Sequence, residues 1–396
     1  MAKLSKFEVV EALAELSPSD RAFVISQFTS GKGKASLLNL HDDVAEKRFA
    51  QGRFCPHCQG RNIVRFGHSH QGAQRYRCND CRKTFTATTK TIYAHAKNPD
   101  LLPAYLVCMK QHLSLRESAK ECGVSLRTSF LMRHRILDIL AASQPTADLD
   151  GIVEADETFL DLSFKGNHTA DGFKMPREPH RRGHTSVQRG NSLNKVCVVT
   201  AIDRENDTNA VVSNLGVPSA SDIIDAIGTD IQPKSVLCTD KSSSYRLLAT
   251  NNNLDLVRLK GGKIKRGIYH IQNANQLHQS IKEFLGPFHG VATKYLRNYM
   301  VWHRVFHFRI GDRRPLKDAK EALLLHNVCS RTREVSARPA VPLTSTRQVP
   351  NLPEVMKVMV EKEELARCKL KKNQKGRSIP PQTEEAIPPI LENEPF

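Results

Sequence analysis

The sequence predicts a multidomain chain in which a zinc ribbon and a helix-turn-helix precede an α/β domain built on a mixed sheet. Three observations carry this expectation. Two Cys-x-x-Cys pairs stand 19 residues apart, two helical patterns meet at a glycine turn, and apolar strand-like runs alternate with amphipathic helical ones further on. At 396 residues the chain is long enough for several modules, and 39% hydrophobic residues suffices for packed cores. A formal charge of +18 favours a polyanionic partner, nucleic acid first and an anionic membrane surface second. No run of 18 apolar residues occurs, and the N-terminal MAKLSKFEVVEALAEL lacks the uninterrupted apolar stretch of a signal peptide. A cytoplasmic protein with no membrane span is therefore expected.

Residues 1–50 read as a small helical region. FEVVEALAEL is amphipathic, and Ser17-Pro18-Ser19-Asp20 supplies a cap, a first-position proline and an acidic residue before RAFVISQF. Residues 51–92 follow as the zinc ribbon. Cys55 and Cys58, then Cys78 and Cys81, each present two thiolates from one tight turn, and two such turns complete a tetrahedral S4 site. A closed four-thiolate site leaves no position for substrate, so the zinc is structural. It supplies folding energy that so small a core lacks. Residues 93–146 carry the two helical patterns, meeting at Cys122-Gly123-Val124-Ser125. Ala119 permits close helix crossing, Gly123 fits the turn and Ser125 caps a second helix bearing Arg127, Arg133 and Arg135, candidate contacts to a DNA major groove.

The largest domain spans residues 147–311. Its first strand, GIVEADETFL, sets Asp156 and Glu157 into an apolar run. Ionised carboxylates in such a strand suggest a cation site; an edge strand whose Glu154, Asp156 and Glu157 face water is the competing interpretation. A basic insert follows, including Arg181 and Arg182, then the strands VCVVTAID and NAVVSN, the helix SASDIIDAIG opened by Ser219 or Ser221, and the strand SVLCTD. Asp240 follows that last apolar run, where side chains of adjacent strands converge. After the strand LDLVRLKGG and the basic Lys263, Lys265 and Arg266 comes an amphipathic helix, NANQLHQSIKEFLG. On it Asn275, His278, Gln279 and Lys282 share one face, expected to look onto the sheet end. Tyr295, Tyr299, Trp302 and Phe306 form an aromatic stripe on a final helix and read as core. Residues 312–396 read as a short helix and then a largely disordered tail.

A strand Asp, a second Asp after a later strand, and a helix residue 35 positions on resemble the RNase H-like DDE transposases. Together with the zinc ribbon, the helix-turn-helix, VEADETF, TDKSSSY and the stretch HIQNANQLHQSIKEFLGPFHGVATKYLRNYMVW, the chain resembles the bacterial insertion-sequence transposases of the ISXO-type group. The resemblance implies an RNase H-like catalytic domain with Asp156 and Asp240 as catalytic carboxylates, Asn275 where many members have Glu, and Lys282 at the trailing lysine. It further implies catalytic Mg2+, with Mn2+ as a substitute, and double-stranded DNA partners in the terminal inverted repeats and the target. A homo-oligomeric complex and two-metal cleavage and strand transfer complete the expectation. A neutral Asn275 ligates through its carbonyl oxygen but adds no charge, which singles out Glu157 as a helper ligand, with His270 and His278 as weaker ones. Two other classes remain open. One is a non-catalytic DNA-binding regulator or inactivated transposase, the other an RNA-directed zinc-ribbon nuclease.

Overall fold

The protein is described from a computed structural model. It describes residues 33–341 apart from 71, 95, 97, 100, 145–146, 168–172, 174–193, 241–242, 260–264, 309–313 and 329. The helices expected in FEVVEALAEL and RAFVISQF, most of the basic insert, and the expected disordered stretch beyond residue 341 lie outside the described residues.

Helix α1 (Gly33–Arg48) leads into the antiparallel ribbon β1 (Ile63–His68), β2 (Gln74–Cys78) and β3 (Thr84–Thr86). The ribbon core is small: Tyr76 and Phe85 stack beside Cys55 and Cys78, with Phe49 and Ile63 against them. Arg48 ties α1 to the chain beyond β3. Its buried guanidinium donates to the Ala87 and Thr89 carbonyls and to the Asn327 side chain.

Three helices come next, α2 (Leu101–Lys110), α3 (Leu115–Glu121) and α4 (Leu126–Ser143). Ser114 and Glu117 cap α3 reciprocally, and the Ser125 hydroxyl accepts the Thr128 N–H at 3.1 Å to start α4. Between them Gly123 sits at φ +61°, a left-handed conformation that a Cβ would strain. Ile136, Leu137, Ile139 and Leu140 bury the long face of α4.

The α/β domain carries a five-stranded mixed sheet of order β6-β5-β4-β7-β8, from β4 (Ile152–Asp161), β5 (Lys195–Ile202), β6 (Thr208–Leu215), β7 (Val236–Thr239) and β8 (Asp255–Arg258). The meander β4-β5-β6 is antiparallel, whereas β4, β7 and β8 run parallel, as expected of an RNase H-like fold. Period-two alternation on β4 assigns its side chains to two layers. Val153, Ala155 and Phe159 pack under α5 (Ala220–Ile227) and α6 (Tyr245–Asn252). Glu154 and Asp156 face the other way, toward α7 (Gln272–Leu285). Before α7, the short strands β9 (Lys265–Arg266) and β10 (Tyr269–His270) form a hairpin.

Helix α8 (Leu296–Phe306) carries the aromatic stripe into the core, where the Trp302 indole donates to the Met109 carbonyl at 3.0 Å. The segment after residue 312 is more than one short helix. It forms α9 (Pro315–Leu325) and α10 (Thr332–Ser336), and Leu316, Ala319, Leu323 and Val335 are buried in the same core as α2 and α4. The i, i+3, i+7 spacing of Leu316, Ala319 and Leu323 makes one apolar stripe, and burying it outweighs the surrounding lysines.

Candidate active site and metal centres

The ribbon brings its four cysteines together. Cys55 and Cys81 sulfurs lie 3.6 Å apart, as do those of Cys58 and Cys78, and all four ligand atoms fall within 4.8 Å of one another. Four thiolates about 2.3 Å from one zinc ion are spaced in this way. The Lys83 backbone N–H draws the Cys81 thiol down to about 7, while crowding by the other sulfurs raises Cys58 against the pull of its Gly60 backbone hydrogen bond. The donor set fits structural zinc.

The second cluster forms where β4 outruns β7. Glu154 pairs with Cys238 in parallel register, and continuing that register past Thr239 brings Asp240 level with Asp156. Burial, with Asp240 adding repulsion, pushes Asp156 up to about 6 despite the opposing Glu157 N–H at 2.9 Å. Burial and then Asp156 push Glu157 up to about 7. Carboxylates crowded out of water in this way fit a divalent cation, which would offset both the burial and the repulsion. Glu157 lies between two neighbours: its carboxyl meets the buried Tyr245 hydroxyl on the α6 side, and it also reaches the Asp156 carboxyl and feels Asp240.

Over the Asp156 face lies α7, rotated by its buried stripe Ala274, Leu277, Ile281 and Phe284. That rotation divides the face predicted from sequence. His278 is buried, whereas Asn275, Gln279 and Lys282 are exposed along its border. His278 Nε2 lies 2.7 Å from the Thr200 hydroxyl, and Nδ1 lies 3.9 Å from Asp156 Oδ2. Burial, with Lys282 nearby, pushes the His278 imidazole down to about 4, so the ring is neutral at physiological pH and forms no ion pair with Asp156.

Glu154, the residue that sequence reasoning left as a possible solvent-facing acid, is fully buried and holds α7 in place. Its Oε2 accepts the Asn273 N–H at 2.7 Å and the Ala274 N–H at 3.1 Å, the unpaired donors of a helix N-terminus. Its Oε1 accepts the Asn273 amide at 2.9 Å and meets Arg204 at 3.0 Å and His270 Nδ1 at 3.1 Å. His270 is thus engaged by Glu154 and is not a helper at Asp156. The signal in the sequence was the i, i+2 spacing of Glu154 and Asp156, which puts both on one strand face. Glu154→Ala, which strands Arg204 and the helix start, is expected to destabilise the domain by roughly 3–5 kcal/mol in urea unfolding followed through the single tryptophan, Trp302. A loss within experimental error would show that this cluster does not anchor α7.

The candidate DNA contacts divide. Arg127, Lys265 and Arg266 are exposed. Arg133 is a correction: it is wholly buried, donates to the Leu113 carbonyl at 2.8 Å and the Ser118 hydroxyl at 3.1 Å, and lies over the Trp302 ring. Four residues before Leu137 on the same helix, it falls on the buried stripe, and a guanidinium that shares its charge with an aromatic face is held there. Arg135 also turns inward, its Nε donating to the Ser330 carbonyl at 2.9 Å, because the α9–α10 segment covers that side of α4. Arg181, Arg182 and Lys263 lie outside the described residues.

Among the described residues no helix is long and apolar enough to cross a membrane. Residues 148–309 match the family model described as ISXO2-like transposase domain, and residues 41–84 match the one described as transposase zinc-ribbon domain. The chain is 28% identical over 312 residues to an uncharacterized protein in transposable element ISH50 of Halobacterium salinarum, covering 76% of this chain and 98% of that protein. Among solved structures it is similar to a chain of the simian T-cell lymphotropic virus intasome in complex with PP2A regulatory subunit B56 gamma. There the TM-score is 0.27 at 11% identity, over 62% of this chain and 79% of that one. With the cysteine cluster and the mixed sheet already in place, the two matches assign a transposase zinc-ribbon domain to residues 41–84 and an ISXO2-like transposase domain to residues 148–309.

Proposed function

We propose that the protein binds the ends of its insertion sequence and catalyses metal-dependent cleavage and strand transfer at Asp156, Asp240 and Asn275. The observation that carries this reading is the proximity of Asp156, in the middle of β4, to Asp240, just past the end of the parallel β7, where burial and the repulsion of Asp240 raise Asp156. Asp156, Asp240 and the Asn275 carbonyl would hold Mg2+ or Mn2+. When bound, the ions activate the attacking hydroxyl and stabilise the leaving oxygen.

The chain's own residues do the rest. Glu154 fixes the start of α7 and with it the position of Asn275 relative to Asp156. Lys282, exposed two turns further along, contacts a phosphate beside the scissile bond. Arg127, Lys265 and Arg266 bind the DNA backbone electrostatically, α3 and α4 serve as the helix-turn-helix that docks on duplex DNA, and the ribbon adds Arg65, Arg75 and Arg77. Paired element ends imply a homo-oligomer.

The test is joining of the element's own end DNA to a target duplex by purified protein with Mg2+ or Mn2+, run beside Asp240→Ala. Joined products lost in the variant would support the reading. End binding without joining under both ions would move the assignment to a DNA-binding regulator.

A further inference from the structure

The hydrogen bonds around His278 determine which ring nitrogen carries the proton. The Thr200 hydroxyl has one hydrogen, and it is donated to the Asp156 carbonyl at 2.8 Å. The 2.7 Å contact between that hydroxyl and His278 Nε2 therefore has Nε2–H as its donor. This leaves the ring's lone pair on Nδ1, which lies 3.9 Å from Asp156 Oδ2. Two acceptors thus stand side by side at a separation too long for a hydrogen bond. One cation about 2.2 Å from each donor closes such a gap.

The second observation is the charge of the set. Asn275, on the same helix, brings an oxygen but no charge. The His278 imidazole nitrogen beside Asp156 is a stronger donor than that amide oxygen.

We propose that His278 is a direct metal ligand of the transposase site, its Nδ1 completing the donor set of Asp156 and Asp240 that Asn275 completes only weakly. The inference rests on the carboxylate reading above and adds a ligand to it. It also sets metal preference, because an imidazole nitrogen in an otherwise oxygen site favours Mn2+ over Mg2+. Thr200 is the supporting residue that fixes the tautomer, in the way that metal-bound histidines are held by a partner on the other nitrogen.

The experiment is pulsed electron paramagnetic resonance of Mn2+ bound to the zinc-loaded full chain, in wild type, Asp156→Asn and His278→Gln. Glutamine keeps an N–H for Thr200 but has no nitrogen lone pair, so it separates ligation from support; unchanged Trp302 fluorescence verifies that the variant folds. The expected result is a nitrogen-14 modulation in wild type that disappears in His278→Gln, with Mn2+ affinity lowered at least about 10-fold. Mn2+ bound in an Asp156-dependent manner without nitrogen modulation, or with modulation that survives in His278→Gln, overturns the proposal and leaves the carboxylate site standing. If no Mn2+ signal depends on Asp156, the carboxylate reading fails and this proposal falls with it.

Discussion

Asp156→Asn is expected to abolish strand joining and, at the same time, to make the metal-free protein more stable at pH 8. The first effect follows from removing a carboxylate donor. Loss of a partner one layer further out already lowers metal affinity or activity 10- to 100-fold, so the loss of joining should exceed about 100-fold. The second follows from linkage. Asp156 rises from its ordinary 3.8 to about 6 in the folded chain. A carboxyl group raised in this way binds its proton more tightly folded than unfolded. Its contribution to stability is complete below about pH 4, fades as pH rises through about 6, and is a constant deficit above that. A rise of this size corresponds to about 3 kcal/mol, and allowance for partial solvent screening brings the expected gain at pH 8 to about 2 kcal/mol. At pH 4 the variant should gain nothing. Urea unfolding in chelator, read by Trp302 at both pH values, measures the difference. A variant less stable than wild type at pH 8 would show that Asp156 is not strained by burial and that the cation-site argument lacks its basis.

Such a pairing of lost activity with gained stability separates a functional carboxylate from a structural one. Glu154 shows the contrast two residues earlier on the same strand. It is more deeply buried than Asp156, yet three N–H groups of the α7 start, Arg204 and His270 all converge on it. Its charge is satisfied by the fold, and removing it costs stability. Among the described residues Asp156 receives the Glu157 N–H but no Arg or Lys ion pair.

How much of this was legible in the sequence depended on how local the governing interaction is. The zinc cysteines were, because chelation by two tight turns is written in their spacing. The placement of Asp240 was too, because the apolar run Val236-Leu237-Cys238 ends a buried strand next to it. Helix α6 was missed since Ser243, Ser244, Arg246 and Asn251 make its stretch look like a loop; only Tyr245, Leu248 and Ala249, buried against the sheet, hold it as helix. The role of Arg133 was inverted for a similar reason. Nothing in its neighbourhood signals that Trp302, 169 residues later, supplies a ring 4.6 Å from its guanidinium. The division of the α7 face between a buried His278 and an exposed Asn275 likewise depends on how far the helix is rotated against β4 and β5, which spacing alone leaves free by a fraction of a turn.

Cys78→Ser is expected to unfold the ribbon alone. Its core consists of Tyr76, Phe85 and two cysteines, with Phe49, Ile63 and Cys81 beside them, so apolar burial contributes little. A structural zinc ion contributes on the order of 10–16 kcal/mol at neutral pH in modules of this kind, and most of it disappears when one thiolate is removed. The rest of the chain keeps its own support. Trp302 lies in the separate, larger core of α2, α4, α7 and α8, and the sheet has a further cluster beneath α5 and α6. Zinc content should fall from one ion per chain toward none, amide exchange should accelerate across residues 55–86, and Trp302 fluorescence should stay unchanged. Binding to element ends should weaken at least about 10-fold if Arg65, Arg75 and Arg77 on the ribbon bind phosphates, and the salt dependence should flatten with it, because fewer counterions are then released. Simultaneous collapse of Trp302 fluorescence would show instead that α1 and the Arg48 hydrogen bonds couple the ribbon to the main core, and that the zinc stabilises the whole chain.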